Sequence, residues 1–284
     1  MQGIRRRNPR AIDPSRSALV WPCLAICVKT LRVALAAAAP LRAPRANNRR
    51  TRCEDHAMTP EEMQARLLYR DGLILVIDKP PGIAVHKGPK GGDNLEAHFA
   101  ALRFGLPRSP SLAHRLDRET SGCLVLGRHH KALTQLGLLF KQGKIGKTYW
   151  AVVIGGPEAD EGLIDLPLAR LDATRGWWMK VDPLGLPAQT RWKVLGRDEG
   201  FSFLALTPLT GRTHQLRVHC AAKGFPIFGD PIYGTVPGDG ERLHLHARAI
   251  EIPLYKNKEA VKIDAPLPAH MEAKVARLTG YDLR

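Results

Sequence analysis

The segment His114-Arg115-Leu116-Asp117-Arg118-Glu119-Thr120-Ser121-Gly122 sets one carboxylate between two guanidinium groups. If the three also meet in space, the positive neighbours favour the ionised carboxylate. An ionised Asp117 can act as a nucleophile or a base. Thr120 and Ser121 add hydroxyls, and Gly122 suits a tight turn. The same residue types also make an ordinary surface loop with a salt bridge. A second segment runs Gly211-Arg212-Thr213-His214-Gln215-Leu216-Arg217-Val218-His219. Thr213 can cap a helix, so one is expected over 213–223, with Gly224 past its end and Pro226 beyond. His214 and Arg217 then share a face. Arg212, at the helix start, is placed to hold phosphate together with free backbone amides. A solvated basic face on a core helix fits this pattern equally well. In the third segment, Lys147-Thr148-Tyr149-Trp150-Ala151-Val152-Val153, strand alternation puts Tyr149, Ala151 and Val153 on one side. A tyrosine beside a cleft can stack on a base or move a proton, whereas in most strands it only packs.

Histidines offer a competing chemistry. His244 and His246 stand in an HxH spacing on an expected strand, and with His214, His219 or Cys220 they could bind zinc. No carboxylate partner is evident nearby, and the 5 cysteines form no CxxC pair, so no metal is expected. Arg175-Gly176-Trp177-Trp178-Met179-Lys180 interleaves aromatics with cations. That mixture suits a finger gripping RNA by stacking and charge, or a strand with both tryptophans partly buried.

These groups need elements to hold them. Leu73–Ile77 and Cys123–Leu126 are short apolar runs, consistent with buried strands. The first stops at Asp78-Lys79-Pro80-Pro81-Gly82, which is turn chemistry. Lys131–Lys144 carries Leu133, Leu136, Leu139 and Phe140 at helical spacing. Lys147–Ile154 reads as a strand, Gln189–Leu195 and Phe201–Thr207 as a hairpin, and Leu243–Ile252 as a further strand. Met58-Thr59-Pro60-Glu61-Glu62 opens a helix. Strands outnumber helices and hairpins recur, so the class is α+β with a mixed sheet.

The chain of 284 residues is 44% hydrophobic and 25% charged, ordinary for a globular protein, but its formal charge is +16. That excess points to a polyanion or an acidic membrane surface. No amphipathic basic helix supports a membrane, and no stretch reaches the roughly 18 apolar residues of a transmembrane helix. Residues 1–57 hold 12 Lys/Arg against 3 Asp/Glu. They show no steady period and read as a disordered basic extension or a mis-called start. The ordered domain is expected over 58–284. Cysteine usage suggests a reducing, cytoplasmic setting.

Taken in order, these segments resemble the RluA-type family of RNA pseudouridine synthases. His114-Arg115-Leu116-Asp117 with Thr120-Ser121-Gly122 resembles that family's HRLDxxTSG signature. Asp78–His86, Lys147–Ala151, Ala188–Thr190, Gly211–His219 continuing to Gly229–Gly234, and Leu245–Ala247 resemble its other motifs. The resemblance implies an isomerase with a bifurcated, largely antiparallel mixed sheet, flanking helices and a central RNA-binding cleft. It further implies Asp117 as catalytic aspartate, Tyr149 as active-site tyrosine and Arg217 as the basic partner of the aspartate. Arg115 would fill the gap left by a flipped base, and Arg212, His214 and Gln215 would contact RNA. Uridine and pseudouridine are isomers, so no cofactor is expected. Many relatives carry an N-terminal S4 domain, for which residues 1–57 are too short and irregular. The expected partner is a tRNA or rRNA stem-loop, and the expected state a monomer.

Overall fold

The computed structural model describes residues 58–280, apart from 89–90, 173, 175–176, 199 and 235–240. The expected extension over 1–57 lies outside the described residues. In chain order the elements are α1 (Pro60–Ala65), β1 (Leu67–Arg70), β2 (Ile74–Lys79), a short 3-10 helix (Leu95–Leu102), β3 (Ser111–Leu112), β4 (Ser121–Gly127), α2 (His130–Lys141), β5 (Gly146–Ile154), β6 (Glu161–Asp165), β7 (Leu168–Arg170), β8 (Met179–Val181), β9 (Gln189–Asp198), β10 (Phe201–Pro208), α3 (Gln215–Ala222), β11 (Leu245–Ile252), β12 (Val261–Asp264) and α4 (Ala269–Thr279). Local chemistry explains several boundaries. Thr59 and Glu62 cap α1 reciprocally. His129 accepts from the Ala132 amide at the start of α2.

Ten strands form one mixed sheet in the order β1-β2-β4-β11-β5-β10-β9-β6, with β3 beside β4 and β12 beside β11. Every pairing in it is antiparallel except β4 with β11, which is parallel. That junction is short, matching His246 with Ser121 and Ala247 with Gly122. From Ala249 onward the same edge of β11 pairs with β12 instead. The sheet therefore forks at β11, and the loop leading into β4 ends at the fork. The separate β7–β8 hairpin pairs Leu168 with Val181 and Arg170 with Met179.

The apolar runs follow from burial on both sheet faces. Leu75, Ile77, Leu124 and Leu126 pack with Phe99, Leu102 and Leu116 on one side. Ile74, Val76, Cys123 and Val125 pack with Leu136, Ile250 and Ile252 on the other. A strand covered on both faces carries no polar alternation, and each fully buried branched side chain contributes about 1.5–3 kcal/mol. Helix α4 lays Met271, Val275 and Leu278 against Val152 and Phe203. The 4-then-3 spacing of these residues before Gly280 is a helical signal in the sequence.

Candidate active site

Asp117 lies in the loop between β3 and β4, and the loop is stitched from beneath. Leu116 is buried in the core under it. Lys79, fully buried at the end of β2, donates from Nζ to the carbonyls of Pro80 (2.8 Å), Arg118 (2.9 Å) and Thr120 (2.9 Å). The Gly82 amide donates to the Arg118 carbonyl, and Arg118 Nε donates back to the Gly82 carbonyl. The Asp78–Gly82 turn thus clamps the aspartate loop. Burial pushes the Lys79 ammonium down to about 7, while the carboxylates of Glu119 and Asp117 help to hold its proton. The lysine is a missed site residue, since its motif showed only turn chemistry.

Gly122 serves a different purpose from the turn expected of it. It lies within β4 at φ +103, and a Cβ there would stand 2.3 Å from the Ala247 carbonyl oxygen. Only glycine lets the two strands approach so closely. Ser121 beside it has its hydroxyl 2.9 Å from His246 Nδ1, locking the same junction. His246 is therefore a structural histidine. Burial lowers it to about 4 and keeps it neutral. His219 spends its nitrogens on Thr190 and the Leu166 carbonyl.

The cation facing Asp117 comes from α3, not from its neighbours in sequence. Arg217 Nη1 stands 3.7 Å from Asp117 Oδ2. Its Nε and Nη2 donate to the two oxygens of Asp230 at 2.8 and 2.6 Å. Asp230 also accepts from the amides of Ile232 and Tyr233. Burial alone would raise the Asp230 pKa, but the hydrogen bonds and charge of Arg217 and the two amides outweigh it and lower it. The fork geometry makes Arg217 rigid, with its third nitrogen aimed at the Asp117 loop. By contrast, Arg118 pairs with Glu119, and Arg115 is exposed. His214 Nε2 lies 3.9 Å from the same Asp117 oxygen. Tyr149, on β5, packs between the core below Asp117 and the core below α3. Burial and the nearby Asp117 charge raise its phenol pKa, so the ring stays neutral at physiological pH.

The site thus brings together the Asp117 carboxylate, a guanidinium locked on Asp230 and a neutral tyrosine. A family model described as RNA pseudouridylate synthase matches residues 73–222. The chain belongs to the RluA-type RNA pseudouridine synthases. It is thus an isomerase acting on RNA. An uncharacterized RNA pseudouridine synthase of Zymomonas mobilis is 45% identical over 206 residues, covering 72% of this chain and 94% of that protein. The ribosomal large subunit pseudouridine synthase C of Vibrio cholerae is 33% identical, covering 76% and 70%. Among solved structures, human RNA pseudouridylate synthase domain containing 4 superposes with a TM-score of 0.65 at 26% identity, covering 77% of this chain and 95% of that one.

Within this synthase, some expected RNA contacts turn inward. Helix α3 begins at Gln215, two residues later than expected, and its N-cap is His214 rather than Thr213. Gln215 is buried and fully engaged. Its Oε1 accepts from Thr210 and the Arg212 amide, and its Nε2 donates to the Gln189 carbonyl and to Thr190. An amide with every group satisfied internally has nothing left for RNA, so Gln215 is corrected to a structural residue that ties β9 to α3. His214 is also nearly enclosed, with a side chain 9% exposed. Arg212 remains at the surface, its Nε donating to the Pro187 carbonyl. In the aromatic–cation segment, Arg175 and Gly176 lie outside the described residues. Trp177 is 55% exposed at the end of the β7–β8 hairpin, and the Trp178 carbonyl accepts from the Leu171 amide to close it. Among the described residues no helix is long and apolar enough to cross a membrane.

Proposed function

We propose that the synthase acts on a stem-loop of tRNA or rRNA, with Asp117 as its catalytic group, Arg217 as its basic partner and Tyr149 as the base-stacking residue. The observation that carries this reading is the contact of Arg217 Nη1 with Asp117 Oδ2 at 3.7 Å, made by a guanidinium already locked on Asp230. The reaction breaks the N1–C1′ bond, turns the base, joins C5 to C1′, removes the C5 proton and leaves N1 carrying a proton, so that the product is an isomer of the substrate. The target base must leave its stack, which costs a few kcal/mol. Exposed Arg115 can fill the gap, while Arg212 and the basic surface neutralise phosphates. The raised phenol pKa keeps Tyr149 neutral and a poor proton acceptor, so the Asp117 carboxylate is the better candidate for the C5 proton.

The name of the ribosomal relative favours rRNA over tRNA. Residues 58–284 are taken as the catalytic domain, working as a cytoplasmic monomer, with 1–57 a basic extension or a mis-called start. Pseudouridine mapping tests the substrate and the catalytic aspartate together. Total RNA is compared from cells with the gene, without it, and rescued with Asp117→Asn. A site that vanishes without the gene and stays absent in that rescue supports the reading. Restoration of the site by Asp117→Asn sinks it.

A further inference from the structure

We infer that Tyr233 and His214 form a positioning arm that orients Asp117 and links it to the β7–β8 hairpin. The inference rests on the reading of Asp117 as the catalytic group.

His214 is one of two non-glycine residues with positive φ among the described residues, at φ +51, and it makes no side-chain cap to its own helix. A left-handed residue without a local hydrogen bond persists only where its surroundings impose it. Here the surroundings are Tyr233 on one side and Asp117 on the other. His214 Nδ1 lies 2.9 Å from the Tyr233 hydroxyl, and that hydroxyl accepts from the Met179 amide at 2.9 Å. A carboxylate only accepts, so facing Asp117 the ring presents an N–H there and Nδ1 is left to accept a hydrogen bond from the hydroxyl. The neutral ring then carries its proton on Nε2, the atom that stands 3.9 Å from Asp117 Oδ2. A closure of about 1 Å converts that contact into a hydrogen bond, the tightening expected when substrate seats.

Two arms therefore converge on Oδ2, Arg217 held by Asp230 and His214 held by Tyr233. Oδ1 has no protein partner among the described residues and is the oxygen left for the substrate. Tyr233 serves both arms, because its amide donates to Asp230 and its ring lies 5.2 Å from the Arg217 guanidinium carbon. Met179 opens β8, so the hydroxyl also ties this cluster to the hairpin that ends in exposed Trp177. The contacts thus run from the hairpin to Asp117 through Tyr233 and His214. Neither residue touches the reacting atoms. Their roles are to set the carboxylate's orientation and the imidazole's tautomer.

The test uses the full chain and RNA labelled with 5-tritiated uridine, prepared in cells lacking the gene, with tritium release as the readout. His214→Gly suits the site because glycine accepts φ +51, and it leaves room for free imidazole. Its maximal rate at excess enzyme should fall about 10–100-fold, the scale of an ångström of misplacement. The enzyme concentration giving half that rate should stay within about twofold, and added imidazole should restore much of the loss. Tyr233→Phe should lower the maximal rate with the same unchanged half-saturation. A rate for His214→Gly within twofold of wild type overturns the inference, as does a loss confined to half-saturation or one that imidazole leaves untouched. Nitrogen-15 NMR of the wild-type ring adds a readout independent of variant folding. A proton on Nε2 supports the arm, and a proton on Nδ1 alone overturns it. Asp117→Asn is assayed beside them. If it is active, the catalytic reading has failed, whereas an inactive Asp117→Asn with a fully active His214→Gly sinks only the arm.

Discussion

Asp230→Asn probes the clamp on Arg217. The wild-type carboxylate accepts four bonds. Oδ1 takes Arg217 Nη2 and the amides of Ile232 and Tyr233, while Oδ2 takes Arg217 Nε. An asparagine keeps its oxygen where three donors converge and so turns its NH2 group toward Arg217 Nε, donor against donor. It also leaves a guanidinium that is 3% exposed without its counter-charge. Removing one member of a buried pair costs about 3–5 kcal/mol. For a domain of this size each kcal/mol moves Tm by about 2–4 °C, so the loss should be roughly 6–20 °C. Arg217, released from Asp230, is drawn onto Asp117, and the maximal rate of tritium release should fall as well. Urea titration and thermal melting give the stability change. The double variant Asp230→Asn/Arg217→Met removes the stranded charge and should recover about 1–4 kcal/mol of stability while remaining inactive. A single variant that loses less than about 1 kcal/mol would refute the view that this pair is a fixed anchor.

Other expectations concern the fork and acid. Gly122→Ala must either push β4 from β11 or strain φ +103, because its Cβ meets the Ala247 carbonyl oxygen at 2.3 Å. It should cost about 3 kcal/mol or more and abolish activity, and a wild-type melting curve would contradict the close-approach account. His244 and His246 are buried, and burial lowers both to about 4. The unfolded chain, with histidine near 6.5, binds more protons than the folded one between those values. Stability therefore rises with pH across that window and is lost on acidification from about 6.5 toward 4. Its slope reaches about 1.4 kcal/mol per pH unit for each histidine. Burial also lowers His114 to about 4 and raises Asp78 to about 6, so Asp78 offsets one of three histidines below pH 6. Urea midpoints at stepped pH values test the net sign, and stability that fails to rise with pH through the window would contradict it.

Much of the architecture was legible because it is local. Leu73–Ile77 and Cys123–Leu126 were consistent with buried strands, and both sheet faces are packed there. The hairpin of Gln189–Leu195 with Phe201–Thr207 appeared as β9 and β10 in antiparallel register. Misreadings arose where one residue type has several uses. Thr213 can cap a helix, but His214 took that position. Gly122 fits a turn, yet it serves the meeting of two strands. Gln215 can touch RNA, but all of its groups are spent on β9 and the loop before α3.

The sequence by itself determined the family, the aspartate at the centre and most of the strand inventory, because motifs and periodicities are properties of short stretches. Tertiary structure decided the company that Asp117 keeps. Its guanidinium comes from α3 rather than from Arg115 or Arg118, and that group is locked by Asp230. Its loop is held by Lys79 from the end of β2, and its histidine by Tyr233. No spacing along the chain encodes these contacts, because side chains far apart in sequence meet only when the sheet register and the packing of α3 bring them within a few ångströms.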